Sequence, residues 1–313
     1  MMENLLKPAD RIEVTVLVDN YSDLLVPPTT PVEHRAPFNP CHTLLAEHGL
    51  SCLVRVVAGR SEHAILLDAG LSKNCLSHNV REMGLDLSGV EAVVLSHGHF
   101  DHTGGLEEVF CGAGRQVPLI VHPDAFLRRR RTAQGRDPVE LPPPDAVAWK
   151  KAGADIIRRN GPSTLAAGHL LVTGKVERTT SFEKRLPAME VYVNGRWEPD
   201  PVRDDQALVA NVKGRGLVVI SGCAHAGIVN TVRYAKKLSG ARRVHAVMGG
   251  FHLSGPHFEP AISPTINAMK RINPGYVVPM HCTGWKAMNR FAEEMPGRFI
   301  LNTVGTTYVF GGE

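Results

Sequence analysis

The chain contains no CxxC pair. Its six cysteines, Cys41, Cys52, Cys75, Cys111, Cys223 and Cys282, are scattered over 313 residues. That pattern excludes the disulfide framework of a small secreted scaffold. No apolar stretch approaches the ~20 residues that a membrane helix needs, and the first twenty residues hold no apolar core of signal-peptide type. The expectation is a soluble, cytoplasmic protein with no membrane partner. Neither sign of charge dominates, with 35 Lys and Arg against 31 Asp and Glu. So small an excess does not argue for a nucleic-acid partner. No internal repeat of solenoid length is visible. One local exception to the charge balance is Arg128-Arg129-Arg130-Arg131. Such runs are ordinarily solvated faces, but guanidinium groups also fork phosphates and carboxylates.

Apolar residues make up 43% of the chain, enough for one large core or two modest ones. Strand-like runs rich in Val, Ile and Leu recur at 12–19, 50–58, 64–68, 92–96, 119–122, 170–173, 207–212, 217–221, 244–248 and 276–280. Helical patterns cover about 227–238, 263–272 and 283–294. Strands meet first other strands and then helices, which predicts an α/β (α+β) layered fold. The organisation expected is a single domain over 1–313. An insertion at about 126–162, rich in Pro, Gly and Arg, is read as a surface excursion with one short helix, a lid or an inert loop.

Histidine is abundant, with fifteen in all. The segment Ala92-Val93-Val94-Leu95-Ser96-His97-Gly98-His99-Phe100-Asp101-His102-Thr103-Gly104-Gly105 ends an apolar strand in three histidines and an aspartate. A plain strand end has no use for them, whereas imidazole and carboxylate together suit Zn, Mn or Fe. His97 and His99 alternate and can grip one ion, while Asp101 and His102 can grip a second. Two such ions would activate water and polarise a substrate. Three further runs end in histidine: Leu217–His225, Val244–His252 and Tyr276–His281. In an open sheet chemistry gathers at strand ends, so His225, His252 and His281 are further candidates. His225 and His281 read as ligands, and His252 as a substrate or proton-transfer residue. His122, after 119–121, and Glu177, after Gly174, could also face the site. Asp19-Asn20 and Asp204-Asp205-Gln206 read as turns beside strands. Helix N-terminal amides after Gly227 could hold an anionic group of the substrate.

The HxHxDH motif resembles that of the metallo-β-lactamase superfamily. Ile65-Leu66-Leu67-Asp68-Ala69-Gly70 is similar to its upstream D-x-G, which implies that Asp68 orients a ligand histidine. Val277-Val278-Pro279-Met280-His281 is similar to the segment bearing its last histidine, a second-metal ligand. The resemblance implies a four-layer αββα sandwich with two divalent ions, zinc first and manganese or iron as alternatives. Many relatives carry a bridging Asp in the turn that here reads Gly222-Cys223-Ala224-His225. Either His225 or Cys223 would complete the first site, and a weaker second site is the other option. The favoured set is His97, His99 and His225 for one ion and Asp101, His102 and His281 for the other. Asp101 and His252 are the catalytic candidates. Glu47-His48-Gly49-Leu50-Ser51, Ser221–Asn230, Gly249-Gly250-Phe251-His252-Leu253 and His281-Cys282-Thr283-Gly284 resemble the subgroup named for 7,8-dihydropterin-6-methyl-4-(β-D-ribofuranosyl)aminobenzene 5′-phosphate synthase. The expectation is a hydrolase of a small ester, lactone or phosphodiester. The alternatives are a pterin-type transferase and an inactive metal-dependent sensor. Its partner would be a small molecule, anionic or phosphorylated, with homo-oligomerisation left open.

Overall fold

The computed structural model describes residues 6–37, 39–41, 43–183 and 186–312. An eight-stranded sheet runs in the order Ala154–Arg158, Val117–Val121, Ala92–Val94, Ser61–Leu67, Ser51–Ala58, Arg11–Val18, Thr307–Gly311 and Glu33–His34. A seven-stranded sheet runs Ser163–Leu165, Leu170–Val172, Ala207–Val212, Gly216–Ser221, Val244–Gly250 and Tyr276–Met280, with Pro8–Ala9 also paired to Ala207–Val212.

Side-chain alternation explains why these two sheets stack. Ile12, Val14, Val16, Ile65, Leu67 and Val94 point into the core between the sheets, where Val218, Ile220, Met248 and Val278 meet them. Leu66, Val93 and Leu119 point the other way, under helices α1 (Lys73–Glu82), α2 (Leu106–Ala113) and α3 (Ala146–Ala152). Leu217, Val219 and Val247 lie under α4 (Ile228–Ser239), α5 (Glu259–Ile272) and α6 (Trp285–Glu294). The result is four layers in the order αββα, as the sequence resemblance implied. A register shift between Val16 and Val18 turns Leu17 and Val18 together toward the helices.

Residues 126–162 hold more order than one short helix. Arg129–Ala133 and Arg136–Glu140 form a hairpin in a separate four-stranded sheet with Met189–Val193 and Arg196–Pro199. Helix α3 and the strand Ala154–Arg158 follow, and that strand pairs in parallel with Val117–Val121 of the large sheet. Helix α5 begins at Glu259, four residues before the expected Ser263, because Pro260 fits the first turn, where no amide partner is needed.

Three parallel strands of one sheet end on the same side, at Leu67, Val94 and Val121. Three of the other, ending at Ser221, Gly250 and Met280, are also mutually parallel. The motif residues follow these ends. No helix among the described residues is long and apolar enough to cross a membrane, and all six cysteines are free thiols.

Candidate metal centre

The fold gathers every ligand candidate named from the sequence. His97 Nε2, His99 Nδ1 and His225 Nε2 converge, with separations of 2.9 Å between the first two and 3.1 Å from each to His225. Ligand nitrogens at about 2.0–2.1 Å from one zinc lie about 3.3 Å apart in a tetrahedron, close to this spacing. Asp101, His102, Cys223 and His281 form a second group. His102 Nε2 is 3.2 Å from Cys223 Sγ, and Asp101 Oδ2 is 3.3 Å from His281 Nε2. Cys223, His225 and His252 form a third set that shares a member with each of the others. Cys223 therefore stands with the second group, in the turn where many relatives place a bridging aspartate, and His225 completes the first.

Hydrogen bonds at the far ring nitrogens of His97, His102 and His281 aim their near nitrogens into the centre. The Ser96 hydroxyl donates to Asp68 Oδ2 at 2.6 Å, so His97 Nδ1–H donates to Ser96 Oγ and Nε2 keeps its lone pair. His102 Nδ1–H donates to Asp68 Oδ2 at 2.6 Å, which turns its Nε2 toward Cys223. His281 Nδ1–H donates to Asn20 Oδ1 at 2.9 Å. His281 Nε2 lies at ion-pair distance from Asp101, yet it is buried and not aligned for a hydrogen bond. His99 Nε2, His225 Nδ1 and His252 Nδ1 are also buried without partners. Converging imidazole nitrogens beside a carboxylate and a thiol are the donor set of a transition-metal site, so the residues fit a divalent ion.

The electrostatics agree. Burial, reinforced by the neighbouring histidines, holds His97 and His225 well below the usual imidazole range. Burial with Arg129 nearby takes His99 down to about 3. Burial alone would lower His102 too, but the carboxylates of Asp68 and Asp101 push it up to about 9. Burial would raise Asp101, but His102, His281 and His48 outweigh it and hold the carboxyl well below its ordinary value. The first group is thus neutral and ready to ligate, while in the second the ionised Asp101 carboxylate faces a protonated His102. Backbone strain marks the same places: Asp68, Ala224, His252 and His281 take positive φ of 57°, 53°, 45° and 49°.

Several residues did not stand out in the sequence. His48 Nε2–H faces Asp101 Oδ2 at 3.3 Å, its ring lies 4.9 Å from that of His281, and its side chain is 57% exposed. Asp19, read as a turn residue, accepts the His281 amide at 2.7 Å, and Asn20 bonds both His281 and His48. His48 lay inside a quoted block, but only the fold brings it to Asp101.

Four readings change. The amides of Val229 and Asn230 at the start of α4 are taken by the Glu183 carboxylate at 2.7 and 2.9 Å, so an internal anion fills the place suggested for a substrate group. Gly227, at φ 104°, is required there, because a Cβ would lie 2.1 Å from the Glu183 carboxyl carbon. Glu177 pairs with Lys237 on the surface. His122 Nδ1 accepts the Asp124 amide and caps a turn. The Arg run divides: Arg128 pairs with Glu140 at the surface, Arg130 with Glu190, and buried Arg129 with Asp200 and Asp204. A cleft of about 860 Å³ between Lys175–Thr179 and Val191–Arg203 holds none of the ligand candidates, and His225 and His252 instead face a small cleft lined by Phe251, Phe258 and Glu183.

The chain belongs to the metallo-β-lactamase superfamily. The profile of the beta-lactamase superfamily domain matches residues 63–149. The chain is 31% identical over 299 residues to the 7,8-dihydropterin-6-methyl-4-(β-D-ribofuranosyl)-aminobenzene-5′-phosphate synthase of Methanocaldococcus jannaschii, covering 93% of this chain and 94% of that one. An uncharacterised protein of the same organism is 33% identical over 262 residues, 83% of this chain and 92% of its own. Among solved structures, one described as a metal-dependent hydrolase of the beta-lactamase superfamily aligns with a TM-score of 0.73 and 24% identity, covering 96% of this chain and all (100%) of its own.

Proposed function

We propose that the protein is a cytoplasmic, single-domain enzyme that uses two divalent metal ions, zinc first, to hydrolyse a small ester, lactone or phosphodiester. The observation that carries this reading is the pairing of a group of three neutral histidines with a second group of Asp101, His102, Cys223 and His281, joined through the turn Cys223–His225. In the proposal His97, His99 and His225 hold one ion, and Asp101, His102 and His281 with Cys223 hold the other. Metal held there supplies Lewis acidity and a strong oxygen nucleophile at neutral pH.

The chain's own residues do the rest. Asp68 fixes the tautomer of His102 and, through Ser96, that of His97. Asp101 Oδ2, between His48 and His281, can orient the attacking water. His48 turns Nε2–H to Asp101, and its half-exposed ring lies where it can contact substrate. His252 lies beside His225, with ring centroids 4.4 Å apart, and is placed to contact substrate or pass a proton. The substrate is a small molecule, anionic or phosphorylated.

A second reading, condensation on a dihydropterin, is favoured by the 31% identity that runs along nearly the whole of the methanogen synthase. Mass spectrometry of the metal-loaded protein separates the two. Addition of water to esters, lactones or phosphodiesters supports the hydrolase. A condensed product from a dihydropterin pyrophosphate and an aminobenzene ribofuranosyl phosphate, with no hydrolysis, replaces it by the synthase. Inertness to both with metal bound contradicts both and leaves a metal-dependent sensor.

A further inference from the structure

The tripeptide Asp204-Asp205-Gln206, at the mouth of the strand Ala207–Val212, ties together the two chain segments that carry the three-histidine group. Asp204 Oδ2 accepts the amide of Gly98, the residue between His97 and His99, at 2.7 Å. Asp205 Oδ2 accepts the amide of Ala226, next to His225, at 2.7 Å. The Gln206 amide donates to Ser96 O at 3.0 Å, and its side-chain Nε2 to Leu95 O at 2.8 Å. All three residues are buried. Gly98 is pinned from its other side, where a Cβ would lie 2.0 Å from the Ala125 carbonyl oxygen.

Asp204 is itself fixed. Its Oδ1 accepts from Arg129 Nη2 at 2.6 Å, and Arg129 Nε donates to Asp200 Oδ2 at 2.7 Å. Arg129 also donates to the carbonyls of Ala125 and Asp124. The four-stranded sheet, through Arg129, thus anchors the carboxylate that holds the His97–His99 turn.

We infer that Asp204 and Asp205 are positioning residues of the metal centre, which set the spacing of His97 and His99 against His225 by holding the amides of Gly98 and Ala226 from one rigid strand end. The inference rests on the proposed ligand role of those histidines. A site whose donors converge from two segments loses affinity when the segments can drift, and such supporting contacts are typically worth about 10–100-fold in metal affinity.

The test is zinc affinity by competition with a chromophoric chelator, paired with the unfolding midpoint of each metal-free protein. Asp205→Ala and Asp204→Ala remove the acceptors and are expected to weaken zinc by about 10–100-fold. Asp205→Asn keeps an acceptor oxygen for the Ala226 amide and is expected to hold zinc within about threefold of the parent, which separates loss of that hydrogen bond from loss of the side chain's bulk. Wild-type affinity in the Ala proteins, or an Asp205→Asn protein as weak as Asp205→Ala, overturns the inference. Should an Ala protein fail to fold, Asp205→Asn decides: retained affinity supports the inference and lost affinity contradicts it. A parent protein that binds no zinc removes the metal reading as well, whereas a parent that binds with all variants equal to it removes this inference alone.

Discussion

At the scale of single residues the centre is a problem of proton placement. Each of His97, His102 and His281 gives one ring N–H to a fixed oxygen, which aims its other nitrogen into the centre. Cys223 adds a soft donor beside His102. Cobalt-substituted protein is expected to show a thiolate-to-cobalt charge-transfer band in the near ultraviolet. Cys223→Ser is expected to abolish that band while His97, His99 and His225 still bind metal. A band that persists in the Ser protein rules out Cys223 as a ligand. The motif residues were legible because HxHxDH is dense and local. Asp19, Asn20 and His48 were not, because Asp19 and Asn20 meet His281 across some 260 positions of chain and only the tertiary fold gives them work.

At the scale of elements, strands buried on both faces, such as Ala92–Val94 and Gly216–Ser221, announced themselves as apolar runs. Helices α1 and α2 did not: Lys73–Glu82 is polar on most of its surface, and Leu106–Ala113 is short. Arg129–Ala133 and Arg136–Glu140 were hidden as strands because an arginine run and a proline carry no strand signal. The buried guanidinium of Arg129 explains the run better than any ligand does. Replacing it by Met leaves Asp200 and Asp204 buried without their cation, and is expected to cost about 3–5 kcal/mol in urea unfolding. A loss below about 1 kcal/mol contradicts the bridging role, since that is the size of an exposed pair.

At the scale of the whole molecule, the order of strands and helices predicted an α/β layered fold, the resemblance carried by HxHxDH implied its αββα layering, and the site sits where the parallel strands of both sheets end. The metal-free protein should carry the electrostatic signature of that site. The folded value of His99 is about 3 against an ordinary 6.5, so between those limits the unfolded chain binds protons that the native one refuses. Its contribution is full above pH 6.5 and is lost as the pH falls toward 3. His102, raised to about 9, has the opposite sign: its contribution is full below 6.5 and is lost as the pH rises through 9. The metal-free protein is therefore expected to be most stable near pH 6.5 in urea titrations. Stability that climbs steadily to pH 4 contradicts the buried, neutral three-histidine group.

The central claim is that the two residue groups hold metal, and elemental mass spectrometry of protein purified without chelator or nickel resin tests it most directly. The account predicts about two ions of zinc, manganese or iron per chain, falling to about one when Asp101 and His281 are both replaced by Ala. No bound metal, even after incubation with each ion, would contradict it.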